Sequence, residues 1–188
     1  DQQRPDSCGV YGQRLPVTPR LDALAAVGTA FDQAFTVQPV CGPSRAAIQT
    51  GLYPTTTGCW RNGIALPPGT ETLADRLGAL GYQTGYVGKW HLASNRGRHL
   101  PLDRPPARFE RRPVPPERRG GYRDVWVAAD ALEHTSGATS GHVYDETGDR
   151  VELHGYRVDA LTDIALDRLD RFDEDRPFLL FVSFLEPH

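Results

Sequence analysis

Gly81-Tyr82-Gln83-Thr84-Gly85-Tyr86-Val87-Gly88-Lys89-Trp90-His91 is the stretch from which the fold is read. Gly81 ends a helical pattern in which Thr72 and Asp75 have capping-box spacing and Leu73, Leu77 and Leu80 recur on one face. The residues that follow predict a strand from about Thr84 to Val87, with Gly88-Lys89-Trp90-His91 at its carboxyl end. Upstream, Thr18 as N-cap, Pro19 at the first helical position, Leu21, Leu24 and Val27 as the stripe and Gly28 as the stop predict a helix opening an αβ unit. After a mixed aromatic and β-branched run over 31–40, Cys41-Gly42-Pro43-Ser44-Arg45 turns into a short helix that Gly51 ends. Downstream, residues 101–119 hold six arginines, six prolines and two glutamates without period, and predict an irregular, solvated surface excursion. Gly141 to Leu153 predicts a hairpin around Asp145-Glu146-Thr147-Gly148-Asp149, whose acidic spacing is not that of a calcium loop. Val158, Leu161, Ala165 and Leu169 mark an amphipathic helix, and Phe178 to Phe184 predicts a strand buried on both faces. Helices alternating with strands give the α/β class, with no internal repeat or linker across residues 1–188.

Composition excludes several classes. The chain has 188 residues, 39% of them hydrophobic, enough for one ordinary core and against global disorder. Twenty-one basic against 24 acidic residues give a net charge of −3, so no basic field argues for nucleic acid or an anionic membrane as partner. The longest apolar run falls well short of the ~18 residues of a membrane span. Cys8, Cys41 and Cys59 have neither disulfide-framework nor zinc spacing, which leaves the redox compartment and the localisation open. A start at Asp1 rather than Met, and an end at His188 directly after a strand-like run, predict a piece of a longer domain. Lys89 stands out because the other 20 basic residues are all arginine.

In open α/β sheets, reactive groups gather at the carboxyl ends of strands and at helix N-termini. Four segments have that placement: Asp1-Gln2-Gln3-Arg4, Cys41 to Arg45, Gly88 to His91 and Glu186-Pro187-His188. They supply a hard metal ligand, a nucleophile precursor, fixed cations and imidazoles, a set suited to attack on a sulfate or phosphate ester. Cys8 and Cys59 read as plain thiols, His99, His134, His142 and His154 carry no role, and Trp90 either lines a pocket or packs beside it.

Cys41-Gly42-Pro43-Ser44-Arg45 with Gly51 beyond resembles the type I sulfatase signature, C-x-P-S-R followed by a helix and a glycine. Gly81-Tyr82-Gln83-Thr84 leading to Gly88-Lys89-Trp90-His91 is similar to the family's second signature, G-Y-x-T-x-x-x-G-K-x-H. The resemblance implies an alkaline-phosphatase-like sandwich with a mainly parallel sheet flanked by helices, of which residues 1–188 are the N-terminal part. It implies a sulfuric ester hydrolase in which a maturation enzyme oxidises Cys41 to Cα-formylglycine. It further implies a divalent cation, usually calcium, with Asp1, the converted Cys41 and, where many members have a second Asp, Gln2 as ligands. Arg45 and Lys89 would stabilise the diol and the sulfate charge, His91 would take the proton that drives elimination, and His188 would contact the sulfate or protonate the leaving oxygen. A sulfate ester of a small molecule or carbohydrate is the implied substrate. The competing readings are a phosphonate monoester or phosphodiester hydrolase of the same superfamily, and an inactive fragment that retains part of the site.

Overall fold

A computed structural model describes residues 2–96 and 105–188. Helix α1 (Pro19–Val27) and helix α2 (Cys41–Thr50) come first, followed by a single turn, α3 (Pro54–Thr57), and by α4 (Leu73–Ala79). Strand β1 (Gln83–Lys89), strand β2 (Val125–Ala129), the short α5 (Leu132–Thr135), the β3 (Ser140–Tyr144) and β4 (Arg150–His154) hairpin, α6 (Arg157–Leu169) and β5 (Phe178–Ser183) complete the order. The α/β expectation is met, and no helix among the described residues is long and apolar enough to cross a membrane.

The five strands form one sheet in the order β4-β3-β2-β1-β5. β1 runs parallel to both β2 and β5, while β3 and β4 extend the sheet antiparallel, so the sheet is mixed around a parallel centre. Side-chain alternation along the strands explains the two layers. Tyr86, Trp126 and Ala128 point to a core shared with Ala46 of α2 and Ala74 of α4, against which Phe181 packs. Val87, Val127 and Ala129 point to the opposite core, shared with Leu161 and Ala165 of α6. Both faces are covered, which is why β1 and β2 are buried at every position. In the first core Tyr86 stacks on Phe181 with centroids 5.3 Å apart and meets Trp90 edge-on at 5.0 Å, each such pair contributing about 1 kcal/mol beyond its buried area.

Local signals hold where they were strongest. Thr72 and Asp75 form both hydrogen bonds of the capping box at α4. Gly51 takes the left-handed conformation at the end of α2. The hairpin turn closes with Asp145 Oδ1 accepting from the amides of Thr147, Gly148 and Asp149.

Several expectations are corrected. Thr18 precedes α1 but does not cap it; its hydroxyl donates to Asp22 and accepts from Gly9 N. The α1 stripe is exposed, Val27 by 87%. β5 is only partly buried, since it pairs with β1 along one edge alone among the described strands. Of the Arg/Pro-rich excursion, 101–104 lie outside the described residues; the rest is largely irregular and mostly exposed, as expected, with Val114 and Arg119 as its buried anchors. Val114 is fully buried, and Arg119 lies over the Trp126 ring at 5.2 Å while donating to the carbonyls of Val114 and Glu146. An arginine buries its apolar stem and flat guanidinium when carbonyls meet its donors. The chain divides into two compact units, Val37–Leu185 and, separately, Asp1–Thr36 with Glu186–His188.

Candidate active site at the carboxyl ends of β1 and β2

Cys41 is the first residue of α2, half-buried, and none of the three cysteines is in a disulfide. Val40 offers no capping side chain, and Asn62 supplies one from a distance: its Oδ1 accepts from Gly42 N at 2.8 Å. This bond meets one of the helix's orphan amides and fixes the turn that presents Cys41. Four residues on, Arg45 reaches across the end of the sheet. Its Nη1 donates to the Lys89 carbonyl at 2.6 Å and to Ser183 Oγ at 2.7 Å, and lies 3.3 Å from the Tyr86 hydroxyl, which itself donates to the Lys89 carbonyl. The first turn of α2 is thereby tied to the last residues of β1 and β5.

Gly88 explains why this end can close. Its φ is +105°, and a Cβ there would stand 2.1 Å from the Ser183 carbonyl oxygen, so only glycine lets β5 approach β1 so closely. His91 then turns the chain with φ at +63°, a left-handed conformation uncommon for a side-chain-bearing residue and one that costs of order 1–3 kcal/mol. The segment beyond is held by side chains: Asp130 accepts from Ala93 N at 2.8 Å and from Ser94 Oγ, and Asn95 Oδ1 accepts from Ala65 N.

The Lys89 side chain is completely buried, with Nζ 3.4 Å from Glu133 Oε2. Burial pushes its ammonium below the usual pKa; Glu133 and Cys41 pull it up, and Arg45 adds to the lowering. The His91 imidazole is lowered to about 4, first by burial and then by Lys89, Arg45 and Arg96, with Glu133 opposing. His91 is therefore neutral at pH 7, and its Nδ1 is buried without a hydrogen-bond partner. Glu133 is held below the usual carboxylate value: burial raises it, but its own backbone amide, Lys89 and His91 outweigh that. The cluster thus combines fixed positive charge with a neutral base, an arrangement suited to an anion that must lose or receive a proton.

Cys41, Arg45, Lys89 and His91 all lie in the Val37–Leu185 unit. Gln2 and His188 are exposed residues of the other unit, and Asp1 lies outside the described residues. Among the described residues no three His, Cys, Asp or Glu side chains form a group that could hold a metal ion. Trp90 is a packing residue: it is buried among Tyr86, Tyr122 and Trp126 and donates through Nε1 to the Arg118 carbonyl. Sequence reasoning missed Asn62, Asp130, Glu133 and Ser183, polar residues outside both signatures.

A family model described as Sulfatase matches residues 1–188. The ulvan-active sulfatase of Formosa agariphila is 36% identical over 190 residues, an alignment covering 100% of this chain and 34% of that protein. The N-acetylglucosamine-6-O-sulfatase of Bacteroides thetaiotaomicron is 29% identical over 188 residues, covering 100% of this chain and 29% of that one. Among solved structures, one of a protein in complex with its substrate D-glucosamine-2-N,6-O-disulfate superposes with a TM-score of 0.80 at 26% identity, covering 100% of this chain and 33% of that chain. The chain spans about a third of the length of these relatives. With both signatures in place and the family model matched from end to end, the chain belongs to the sulfatase family.

Proposed function

We propose that the protein carrying this chain hydrolyses sulfate esters, of carbohydrates in the first place, with Cys41 converted to Cα-formylglycine as its working side chain. The observation that carries the reading is the meeting of the α2 start with the β1 end, where Arg45 binds the Lys89 carbonyl and a buried lysine stands beside a neutral imidazole. The relatives' own names, an ulvan-active sulfatase and an N-acetylglucosamine-6-O-sulfatase, together with the glucosamine disulfate complex, support the carbohydrate class.

Converted and hydrated, the Cys41 side chain carries two hydroxyls on one carbon. One takes the sulfuryl group from the ester oxygen; the other, giving its proton to His91, expels sulfate as its oxygen becomes the aldehyde carbonyl again. A plain serine has no second hydroxyl and would remain sulfated. Lys89 and Arg45 offset the charge on the transferring group, and His188 protonates the leaving oxygen or contacts the sulfate. A divalent cation, calcium by the family resemblance, would polarise the sulfate oxygens. Asp1, Gln2 and the converted Cys41 are its proposed ligands here, completed by residues in the portion of its relatives that this chain does not span. A dedicated enzyme that oxidises Cys41 is the implied maturation partner.

The relatives give the phosphodiester reading no comparable support. Rates of the protein carrying this chain on an aryl sulfate and an aryl phosphodiester decide the matter. Faster sulfate cleavage, with formylglycine found at position 41 by peptide mass spectrometry, is the expected result; faster phosphodiester cleavage overturns it.

A further inference from the structure

A fully buried lysine is costly unless a counter-charge meets it, because an unpaired ammonium gives up several kcal/mol of hydration. Burial first, and then the Arg45 guanidinium, favour loss of the Lys89 proton. Glu133 answers this from another part of the fold. β2 ends at Ala129, which lies beside Lys89 in the parallel ladder. The chain then turns at once into α5 and sets Glu133 Oε2 3.4 Å from Lys89 Nζ, with the lysine side chain 0% and the glutamate side chain 31% exposed.

We propose that Glu133 is a positioning residue of the active site, holding the Lys89 ammonium at the end of β1 for the reacting sulfate. The proposal deepens the sulfate-ester reading and rests on it. Several features favour positioning over substrate contact. The carboxylate is paired to a cation with no exposure of its own, and negative charge facing an anionic ester would repel it. Held by Glu133, Lys89 keeps one place and one charge through the cycle, so its field is spent on the charge that develops in the transition state.

The test takes Glu133→Gln, Glu133→Asp, Lys89→Met and the Glu133→Gln/Lys89→Met pair in the protein that carries this chain. With an aryl sulfate, Glu133→Gln should lower kcat roughly tenfold or more while KM stays within about twofold, and Glu133→Asp should recover part of the loss. In thermal unfolding, the double variant should lose less than the sum of the single losses, because Glu133→Gln strands a buried ammonium only while Lys89 is present. Losses in Tm that simply add overturn the proposal. So does an unchanged kcat, and so does an effect on KM alone, which would make Glu133 a substrate contact. A wild-type protein that cleaves no sulfate ester refutes the function instead, and the unfolding cycle still decides whether the two side chains act as a pair.

Discussion

The carboxyl ends of β1 and β2 lie side by side in register, Lys89 against Ala129, and feed the same cluster by opposite chemistry. β1 delivers a buried ammonium and, after one left-handed residue, a neutral imidazole. β2 delivers two carboxylates: Asp130, which accepts from the amide of Ala93 and the hydroxyl of Ser94, and Glu133, which meets Lys89. On the proposed function, the cations act on the anionic ester, and the carboxylates hold them and their loop in place. Changes at the end of β1 and at the start of α2 should therefore fall on turnover, and changes at the end of β2 should fall on stability or act through β1.

The largest effect sharpens that contrast from the α2 side. Cys41→Ser should reduce sulfate ester turnover by at least roughly a thousandfold, as loss of a nucleophile does, with Tm nearly unchanged. A rate within tenfold of wild type would break the formylglycine reading. Next comes the acid dependence of folding. His91 has a folded pKa of about 4 against the ordinary 6.5, so between those values the unfolded chain holds the extra proton. Its contribution is complete above pH 6.5, shrinks as the pH falls toward 4 and levels off below, a change of at most about 3 kcal/mol. Denaturant titrations from pH 7 to 4 should show wild type losing that increment relative to His91→Gln; parallel curves would mean that the imidazole titrates normally and is no poised base.

Lys89→Arg should lower kcat on the order of 100-fold with a smaller change in KM. The ammonium is a compact charge enclosed on all sides, whereas a guanidinium is larger and bonds as a planar fork, so it must displace either Glu133 or the ester. Steady-state kinetics on one aryl sulfate checks this, and wild-type kcat and KM in the variant would remove the catalytic meaning of the second signature.

The same two strand ends differ in how far they were legible. The end of β1 announced itself because a capping box, a helical stripe, a glycine stop and a long signature all converge on it. β2 escaped notice altogether. Val125-Trp126-Val127-Ala128-Ala129 is short, has no alternation because both faces are buried, and runs into Asp130-Ala131-Leu132 without a turn residue. Asp130 and Glu133 were lost with it, since a lone carboxylate has no period and its partners are long-range. Ser183 and Asn62 were illegible for the same reason: the first meets Arg45 across 138 residues and the second caps α2 from 20 residues away. Patterns that repeat along the chain could be read. The misreading at β5 concerns what covers a surface, which depends on residues elsewhere in the fold.

The smallest effect tests the quiet half of the comparison. Asp130 is buried to 1% exposure and binds two donors of the segment that follows His91. Asp130→Asn preserves the shape and one acceptor oxygen but turns the other toward Ala93 N or Ser94 Oγ as an NH2 group, so one of the two bonds is lost. The Ser94 hydroxyl can rotate to accept instead, and its bond to Phe109 N, where it already accepts, would then have to be shared. Burial raises the Asp130 pKa, so the range for a bond to a neutral acceptor applies: losing one such bond costs about 1 kcal/mol, and partial rescue by the hydroxyl lowers the expected loss further. Chemical denaturation should report that loss, while kcat per folded molecule should fall less than the roughly tenfold expected for Glu133→Gln, because Asp130 holds backbone and serine rather than a charge that the reaction uses. If Asp130→Asn instead cut kcat as deeply as Lys89→Arg with no loss of stability, the end of β2 would belong to the chemistry as fully as the end of β1. The division of labour between the two strands would then be wrong.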